Sequence, residues 1–457
     1  MRTTTRRRGA ALAAALSLVA ALGGCASGGP GAPATTGSCT NEIVHPDATR
    51  VTLWAWYPAV ETIVDRFNQS HDDVQVCWTN AGQGADEYGK FSTAIEAGTG
   101  APDVIQLESE ILPTFTILDS LVDLSEYGAA DMADQFTEGA WTDVSDGDAV
   151  YAVPVDGGPV GMLYRADIFE EHGVEPPTTW DEFAEAAQQL RDAGYDGYIT
   201  NYATNGGAFN YALFAQAGWE PFTYDSAKPD QIGIDVDTPE ARKVLAYWKD
   251  LVDRGLVSTD DAFTSDYNTS LVDGTYAVYI AAAWGPGYLS GLSDADSGAR
   301  WAAAPLPQWD PENPVAVNQG GSTLAVTSQA RDKEAAATVA MELFGDMGTW
   351  KVGVEDAGLF PQWEPMLGSD WFRDREDPFF GGQRTNADVF LDAAAGYEGF
   401  TFSPFQVYAY DRQTQALYDM VEGDGDAADA LATIQDSLVR YAEQQGFTVR
   451  SGAGSTP

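Results

Sequence analysis

Apolar residues recur with two alternating periods along the first part of the chain, which predicts strands followed by helices. Residues 51–56 are rich in β-forming side chains on both faces, as in a buried strand. Val60, Ile63, Val64 and Phe67 then recur at the spacing of one helix face. The order repeats with a strand over 74–79, a helix marked by Tyr88, Phe91, Ala94 and Ile95 with Gly98 at its end, and a strand over 102–107. This alternation predicts an α/β fold built on a parallel, doubly wound sheet.

Residues 151–190 combine two extended runs with a helix whose first turn carries its own cap. The glycines and the proline at 157–159 interrupt the first run, and a second apolar run covers 160–164. Thr179 and Glu182 have the spacing of a capping box, which predicts a helix start. An interruption of this kind in mid-chain predicts the passage from one lobe to another.

Two further interruptions, at residues 318–322 and 358–363, follow later in the chain. Asp143, Asp146 and Asp148 lack the frame and the closing glutamate of a calcium loop, so they favour a solvated turn. The remaining predicted elements are a hairpin over 141–155 that turns at 146–148, a strand over 195–202, helices over 211–218, 238–254 and 333–344, a turn and strand over 271–280, extended segments over 301–307 and 323–327, and a last helix that ends at Gly446.

Length, composition and charge limit the architecture and the partners. At 457 residues, with 44% hydrophobic and 12% aromatic side chains, the chain is too long for one ordinary core, which predicts two lobes. A formal net charge of −45 argues against DNA, RNA or an anionic membrane surface as a partner, because each of them attracts basic residues. The chain has three histidines and none has i, i+4 spacing, so we expect no zinc site and no cofactor.

Residues 1–24 have the proportions of a secretory signal peptide. Arginines at 2 and 6–8 precede an apolar run over 9–22 that is too short to cross a bilayer. Small residues directly before Cys25 resemble the lipobox of bacterial lipoproteins, in which the cysteine is acylated and becomes the new N-terminus; the alternative is an ordinary signal peptide with a chance cysteine. Residues 25–48 are predicted to form a flexible tether, because 26–38 are Gly, Ala, Ser, Thr and Pro.

Cys39 and Cys77 are the other cysteines of the chain. The oxidising surroundings of an exported protein favour a disulfide between them. Two unpaired buried thiols are the alternative, and the spacing disfavours a redox pair.

Aromatic and acidic residues follow the ends of the predicted strands, where ligands bind in doubly wound sheets. Trp56 and Tyr57 follow the first strand, and Glu108 and Glu110 follow the third. These four side chains are therefore candidate ligand contacts. The candidates after the predicted strand over 195–202 are Asn205 and Phe209.

Several segments, taken in their order and spacing, resemble a known family. They are AIEAGTGAPDVIQLE, YAVPVDGGPVGMLYRADIFEEHGVEPPTTWDEF, LVDGTYAVYIAAAW, and AAAPLP followed by NQGGSTLAV. Over residues 49–446 the chain resembles the extracellular solute-binding proteins of ATP-driven (ABC) importers, specifically the sugar-binding group that includes maltose-binding protein.

The resemblance implies a periplasmic-binding-protein-like fold, in which two α/β lobes are joined by three crossings and the ligand lies between them. It places the crossings at residues 153–156, 318–322 and 360–363. The expected lobes are an N-lobe of 49–153 and 323–359 and a C-lobe of 157–317 and 366–446, followed by a disordered tail of 447–457.

The resemblance also implies a set of ligand contacts near the crossings. A sugar has apolar C–H faces that stack on aromatic rings and hydroxyls that bond to carboxylates, amides and backbone N–H groups. Asp156 stands where the family often places a sugar-binding carboxylate, and Trp284 matches the family's stacking tryptophan. Gly320 and Gly321 would let the backbone approach the ligand. The candidates of the third crossing and its neighbouring loop are Phe360, Gln362, Trp363 and Tyr408.

The predicted function is that of a lipid-anchored receptor on the extracellular face of a bacterial cell membrane. The expected monomer captures a mono- or oligosaccharide, closes its lobes around it and delivers it to the permease subunits of an ABC transporter, without catalysis. The alternatives are an exported glycoside hydrolase that uses a carboxylate pair such as Glu108 and Asp156, a receptor of the same fold for another solute such as a polyamine, and a two-lobed sensor for a signalling partner.

Overall fold

A computed structural model describes residues 39–224, 228–293, 298–423 and 425–450 of the chain. The predicted signal peptide, Cys25 and the linker over 26–38 lie outside the described residues, as does the end of the predicted tail, 451–457.

The strands of this part of the chain vary from two to thirteen residues in length. They are β1 (Thr49–Trp54), β2 (Val74–Thr79), β3 (Val104–Glu108), β4 (Ser145–Asp146), β5 (Ala149–Val150), β6 (Val153–Arg165), β7 (Thr200–Asn201), β8 (Phe222–Tyr224), β9 (Gln231–Ile234), β10 (Val257–Ser258), β11 (Val278–Ala282), β12 (Trp301–Pro305), β13 (Asn318–Val326) and β14 (Thr448–Arg450).

The α-helices alternate with the strands early in the chain and dominate its last quarter. They are α1 (Val60–Ser70), α2 (Ala85–Ala97), α3 (Leu112–Thr116), α4 (Glu138–Val144), α5 (Ala166–His172), α6 (Trp180–Asp192), α7 (Gly207–Gln216), α8 (Pro239–Asp253), α9 (Ser265–Asp273), α10 (Gly285–Leu292), α11 (Lys333–Glu342), α12 (Met347–Ala357), α13 (Glu364–Leu367), α14 (Asp370–Arg373), α15 (Leu391–Ala395), α16 (Gln406–Glu422) and α17 (Ala427–Gln444).

The main sheet has the order β11-β6-β13-β3-β1-β2, and β12 also pairs with β6. The pairs β1–β2 and β1–β3 are parallel, which agrees with the predicted β-α-β-α-β alternation. Strand β13 pairs in antiparallel orientation with both β3 and β6, and β6 pairs in antiparallel orientation with β11 and β12. The carboxyl end of β3 therefore lies beside the β6–β13 pair, where Glu108 pairs with Ser322.

Strand β6 runs without a break through residues 157–159, so the predicted interruption at these residues is wrong. Its first half pairs with β13 and its second half with β11 and β12. The glycines serve close approach rather than a turn: a Cβ on Gly158 would lie 2.0 Å from the carbonyl oxygen of Gln319. A Cβ on Gly157 would meet the side chain of Gln362 at 1.5 Å. Residues 318–322 likewise belong to a continuous strand, with irregular register where it pairs with β6.

The segment around Pro361 lies against β6 on the side opposite β13. The Gly157 amide donates to the Phe360 carbonyl oxygen at 2.8 Å, and the Gln362 amide donates to the Val155 carbonyl oxygen at 3.1 Å. The three segments predicted as crossings are thus neighbours in one narrow layer.

Two hydrophobic cores pack against opposite faces of β6. The first core contains Leu53 and Val104 of the parallel part and Leu324 of β13, and it continues through Leu163 of β6 to residues of β11 and β12. The second core takes the other face of β6 at Met162 and is built mainly from helices α5–α8, α16 and α17. We call the elements on β1–β3 the N-terminal lobe, and those on β11, β12 and the second core the C-terminal lobe.

Local predictions were most accurate where one residue fixes the backbone. Gly98 ends α2 with φ 69°, as predicted. The predicted capping box begins α6: Thr179 Oγ1 accepts from the Glu182 amide and Glu182 accepts from the Thr179 amide, each at 3.2 Å. The hairpin prediction was correct only at its turn, because residues 138–144 form α4.

Both predicted flexible ends were drawn too long. Cys39 forms a disulfide with Cys77 on β2, and the Asn41 side chain bonds to the Val76 and Trp78 backbones, so residues 39–48 are not part of a free tether. At the other end, Thr448–Arg450 pair with β9 as a parallel strand. Among the described residues, no helix has the length and apolarity needed to cross a membrane.

Candidate ligand-binding cleft

A cavity of about 790 Å³ lies between the two lobes. The N-terminal lobe contributes residues that follow β3 together with α4, and the C-terminal lobe contributes α7, the following loop and the segment 396–402. Asn318, at the start of β13, lies on its wall. A volume of this size is typical of sites for small organic ligands.

Two glutamates at the end of β3 reach towards the C-terminal lobe. Glu108 accepts a hydrogen bond from the Tyr88 hydroxyl at 2.6 Å. Glu110 is 6% exposed, lines the cavity, and lies beside the hydroxyl of Tyr410 on α16. Burial raises the pKa of both carboxyls, and the charge of Glu108 adds to the effect on Glu110.

A third carboxylate, Asp143 on α4, connects the lobes directly. It accepts the Tyr397 hydroxyl at 2.9 Å and the Phe400 amide at 3.0 Å. Burial raises its pKa to about 7. The prediction that Asp143 belongs to a solvated turn is therefore wrong, since it ends a helix inside the interlobe contact.

The fourth carboxylate, Asp156, lies in β6 between the lobes. The Ser322 hydroxyl of β13 donates to Asp156 and lies 3.1 Å from the Tyr57 hydroxyl. Burial raises the pKa of Asp156 to about 6. These contacts hold the carboxylate at the layer that the two lobes share.

The charged residues that line the cavity all have the same sign. They are Glu110, Asp143, Asp146, Glu220 and Glu398, with no lysine, arginine or histidine among the described lining residues. Such a wall favours hydroxyl or ammonium groups, which donate to carboxylates, over phosphate or carboxylate groups.

Glu108, Glu110, Asp143 and Asp156 form what we call the carboxylate row, and aromatic rings lie at both of its ends. Trp56 is half-buried and packs edge-on against Tyr88, with 5.9 Å between ring centroids. Trp284 is also half-buried, and its indole N–H donates to the Gln319 carbonyl oxygen at 3.4 Å. At the cavity end the rings are those of Tyr211, Trp219, Tyr397, Phe400 and Phe402.

Gly320 and Gly321 have φ angles of 70° and 113°, which favour glycine. A Cβ on Gly320 would have Glu108 Oε1 as its nearest neighbour at 3.9 Å, whereas a Cβ on Gly321 would press on the Asp156 carbonyl oxygen at 3.1 Å. Gly320 therefore faces the carboxylate row, and Gly321 is needed for the pairing of β13 with β6.

Several predicted contacts have other roles. Tyr57 is 4% exposed and packs on Phe344, so it supports Asp156 from the core. Gln362 is 5% exposed, and its Oε1 accepts from Thr137 at 2.5 Å within the layer between the lobes. Phe209 is part of the second core. These three structural roles follow from burial, which the sequence pattern did not reveal.

Trp363 and Tyr408 do not line the 790 Å³ cavity. Trp363 lines a second cavity of about 370 Å³ against the N-terminal lobe. Tyr408 stacks on Tyr441 of α17, with 3.9 Å between ring centroids, because α16 and α17 pack side by side. Ligand contact by these two residues stays a prediction. Phe360 is buried against Phe372 and is part of the first core.

Asn205 is exposed but already engaged. Its Nδ2 donates to the Ala262 carbonyl oxygen at 3.3 Å, and its Oδ1 accepts from the Ala262 amide at 2.9 Å. The side chain thus holds the loop before α9.

Sequence reasoning missed Tyr211, Tyr397, Phe400 and Tyr410. The segment 397–410 is rich in aromatic residues. It follows no predicted strand, so the rule that ligands bind at strand ends did not select it. Among the described residues no group of three or more His, Cys, Asp or Glu side chains is arranged to hold a metal ion.

Comparison with known proteins places the chain in a family. Residues 55–346 match the family described as bacterial extracellular solute-binding protein, and the chain belongs to this family. The lactose-binding protein of Rhizobium radiobacter is 22% identical over 357 residues, which cover 74% of this chain and 80% of that protein.

Two solved structures share both sequence and fold with the chain. One is the ABC transporter-associated binding protein from B. animalis subsp. lactis Bl-04 in complex with beta-1,6-galactobiose, which is 28% identical with a TM-score of 0.76 over 88% of this chain and 100% of that one. The other is the galacto-N-biose-/lacto-N-biose I-binding protein from Bifidobacterium longum in complex with lacto-N-biose, with 25% identity and a TM-score of 0.77 over 88% of this chain and 99% of that one. The predicted two-lobed α/β fold is thereby confirmed.

Proposed function

We propose that this protein is the receptor of an ABC importer and captures a neutral oligosaccharide between its two lobes. The observation that carries the proposal is the interlobe cavity, which combines the carboxylates Glu110 and Asp143 of the N-terminal lobe with aromatic rings of the C-terminal lobe. Its relatives support the same class of ligand, since the three described above bind lactose, beta-1,6-galactobiose and lacto-N-biose.

The receptor binds its ligand without turning it over, and closure of the lobes is its functional motion. A ligand that contacts both lobes stabilises the closed state by its extra contacts there. The proposed contacts are Glu108, Glu110 and Asp143 from the N-terminal lobe and Trp284 and Tyr410 from the C-terminal lobe, with Asp156 between them.

A ligand panel tests this function. The protein from residue 26 onwards is screened by thermal shift against neutral disaccharides and trisaccharides, uronate-containing sugars and polyamines, and hits are measured by calorimetry. A rise in melting temperature with neutral saccharides, and one-to-one binding heat, supports the proposal. A response to polyamines alone, or release of monosaccharides from an oligosaccharide, would replace it with one of the alternatives.

Anchoring to the outer face of the membrane through Cys25 completes the proposed role. The observations behind it are the apolar run over 9–22 and the small residues before the cysteine. Expression of the full chain in a Gram-positive host, with and without Cys25→Ala, tests it. We expect the unchanged protein in the membrane fraction and the variant in the medium; equal distribution of both would refute lipid anchoring.

A further inference from the structure

We propose that Phe263, in the loop between β10 and α9, is a second sugar-stacking platform that extends the cleft beyond Trp284 and selects for a longer saccharide. This inference rests on the proposed function and adds to it a subsite and a preference for chain length. It is carried by the position of the Phe263 ring, by its backbone conformation and by the contacts that hold the loop.

The Phe263 ring is 56% exposed, although it belongs to a group of aromatic side chains. Its centroid lies 6.3 Å from that of Trp284, 5.7 Å from that of Tyr288 and 6.2 Å from that of Tyr267. A ring of this exposure in such a group offers an apolar surface next to Trp284.

The backbone of Phe263 adopts an unfavourable conformation that presents this ring. Its φ is 64°, and the other non-glycine residues with positive φ among the described ones are Ala59 and Asp119. A bulky side chain in the left-handed region is uncommon and persists where the surroundings enforce it, often at binding sites.

The surroundings do enforce it, from both sides of the residue. Ala262 forms two hydrogen bonds with the Asn205 side chain: its amide donates to Oδ1 at 2.9 Å, and its carbonyl oxygen accepts from Nδ2 at 3.3 Å. Thr264 caps α9, where its hydroxyl oxygen accepts from the Tyr267 amide at 3.2 Å. Phe263 is therefore fixed between a clamped residue and a helix cap, and little ordering of the loop remains to be lost on binding.

The direction of the extension follows from Trp284. Its indole N–H bonds to Gln319 of β13, and the next residue, Gly320, faces Glu108. Trp284 therefore connects Gln319 of β13, which precedes the glycine near Glu108, with the Phe263 ring. The rings of Trp284 and Phe263 are inclined by 42°, a geometry that suits two successive sugar rings joined by a bent glycosidic linkage.

The test compares ligand lengths rather than one affinity. Calorimetry is performed with galactose, beta-1,6-galactobiose and beta-1,6-galactotriose on the unchanged protein, Phe263→Ala, Phe263→Gly and, as a matched control, Tyr418→Ala. Tyr418 is an aromatic residue of α16 with 52% exposure. We expect Phe263→Ala to weaken the binding of the longest sugar that the protein accepts by about 10-fold. The binding of the shortest sugar that it accepts should stay within about two-fold.

Phe263→Gly separates loss of the platform from loss of stability. Because glycine accepts the positive φ, the melting temperature of Phe263→Gly without ligand should equal or exceed that of Phe263→Ala. Both variants should lose the same affinity for the longer sugar. Asn205→Ala, which frees the loop, should give part of that loss.

The outcomes distinguish this subsite from the proposed function. If the unchanged protein binds the sugars and Phe263→Ala binds every length as well as it does, or loses affinity equally for all lengths, the subsite is refuted and the receptor remains. If the unchanged protein binds no saccharide while it binds another solute, both are refuted.

Discussion

The Tyr397 hydroxyl donates a 2.9 Å hydrogen bond to the Asp143 carboxylate, and this bond joins the two lobes beside the interlobe cavity. The lobes approach closely here, since a Cβ on Gly139 would lie 2.4 Å from the Tyr397 carbonyl oxygen. A hydrogen bond between the lobes should contribute to the balance between open and closed forms.

Tyr397→Phe should weaken ligand binding by about 10-fold, because a hydrogen bond to a buried charged group contributes about 1.5–3 kcal/mol and only part of this is specific to closure. The apparent affinity falls in proportion to the population of the closed form. Calorimetry with the best ligand measures the loss, and small-angle X-ray scattering of the ligand-free protein should show a larger radius of gyration.

Tyr247→Phe is the control for this variant, since the Tyr247 hydroxyl donates to the Trp180 carbonyl oxygen within the C-terminal lobe. It should leave affinity and radius of gyration unchanged. Equal behaviour of the two variants would show that the Tyr397–Asp143 bond does not influence closure.

Stability should fall as the pH rises from 5.5 to 8.5. Burial raises the pKa of Asp156 to about 6, of Asp143 to about 7 and of Glu87 to about 8, each above its value in an unfolded chain. A group whose folded-state pKa is raised contributes stability below its unfolded pKa, and that contribution is lost as the pH passes the folded pKa. Carboxyls with lowered pKa, such as Asp103, act in the opposite sense but below this window.

The measurement is the melting temperature of the ligand-free protein across this pH range, and we expect a decrease of several degrees. Asp143→Asn should flatten the curve, because the amide cannot ionise, while Asp148→Asn in the exposed turn after β4 should reproduce the original slope. A melting temperature that rises steadily between pH 5.5 and 8.5 would contradict the conclusion that burial raises the pKa of these carboxyls.

Trp284→Ala should weaken sugar binding by about 2–4 kcal/mol, the range for loss of a buried aromatic anchor. The ring packs against Phe263 and Tyr288 at the start of α10, so the variant should also lower the melting temperature slightly. Trp284→Phe keeps that packing and should lose less affinity. Calorimetry that shows unchanged affinity for Trp284→Ala would remove this residue from the site.

The sequence predicted the fold better than it predicted the site. Strand ends and capping residues are local signals, and they correctly predicted that Glu108 and Glu110 lie at the end of a strand and that α6 begins after Thr179. Asp143 and Tyr397 are 254 positions apart, and no local pattern shows that they meet. Tyr57 and Gln362 illustrate the opposite error. Tyr57 follows the first predicted strand and Gln362 belongs to the third predicted crossing, yet both side chains are buried and pack next to Asp156 and Gly157.

Glycines gave the most instructive mistake. Gly157 and Gly158 were interpreted as a break because glycine is frequent in turns, whereas here they admit Gln362 and Gln319 against a continuous strand. A sequence alone cannot distinguish glycine that turns the chain from glycine that makes room for a neighbour, since the two differ only in contacts distant along the chain.

Removal of the Cys39–Cys77 disulfide should destabilise the protein without affecting ligand binding. The bond closes a loop between cysteines 38 positions apart, and in the chain-entropy account a loop of this length contributes about 4 kcal/mol by restricting the unfolded chain. It also fastens residues 39–48 to β2, where Asn41 bonds to the Val76 and Trp78 backbones.

Urea unfolding of the Cys39→Ala, Cys77→Ala double variant should therefore show a lower midpoint than the oxidised protein. Calorimetry with the best ligand should give a dissociation constant within about two-fold of that of the parent protein, because none of these residues lines the cavity. If the midpoint is unchanged and does not respond to a reducing agent in the parent protein, the segment before β1 is held by its hydrogen bonds alone and the disulfide adds nothing to stability.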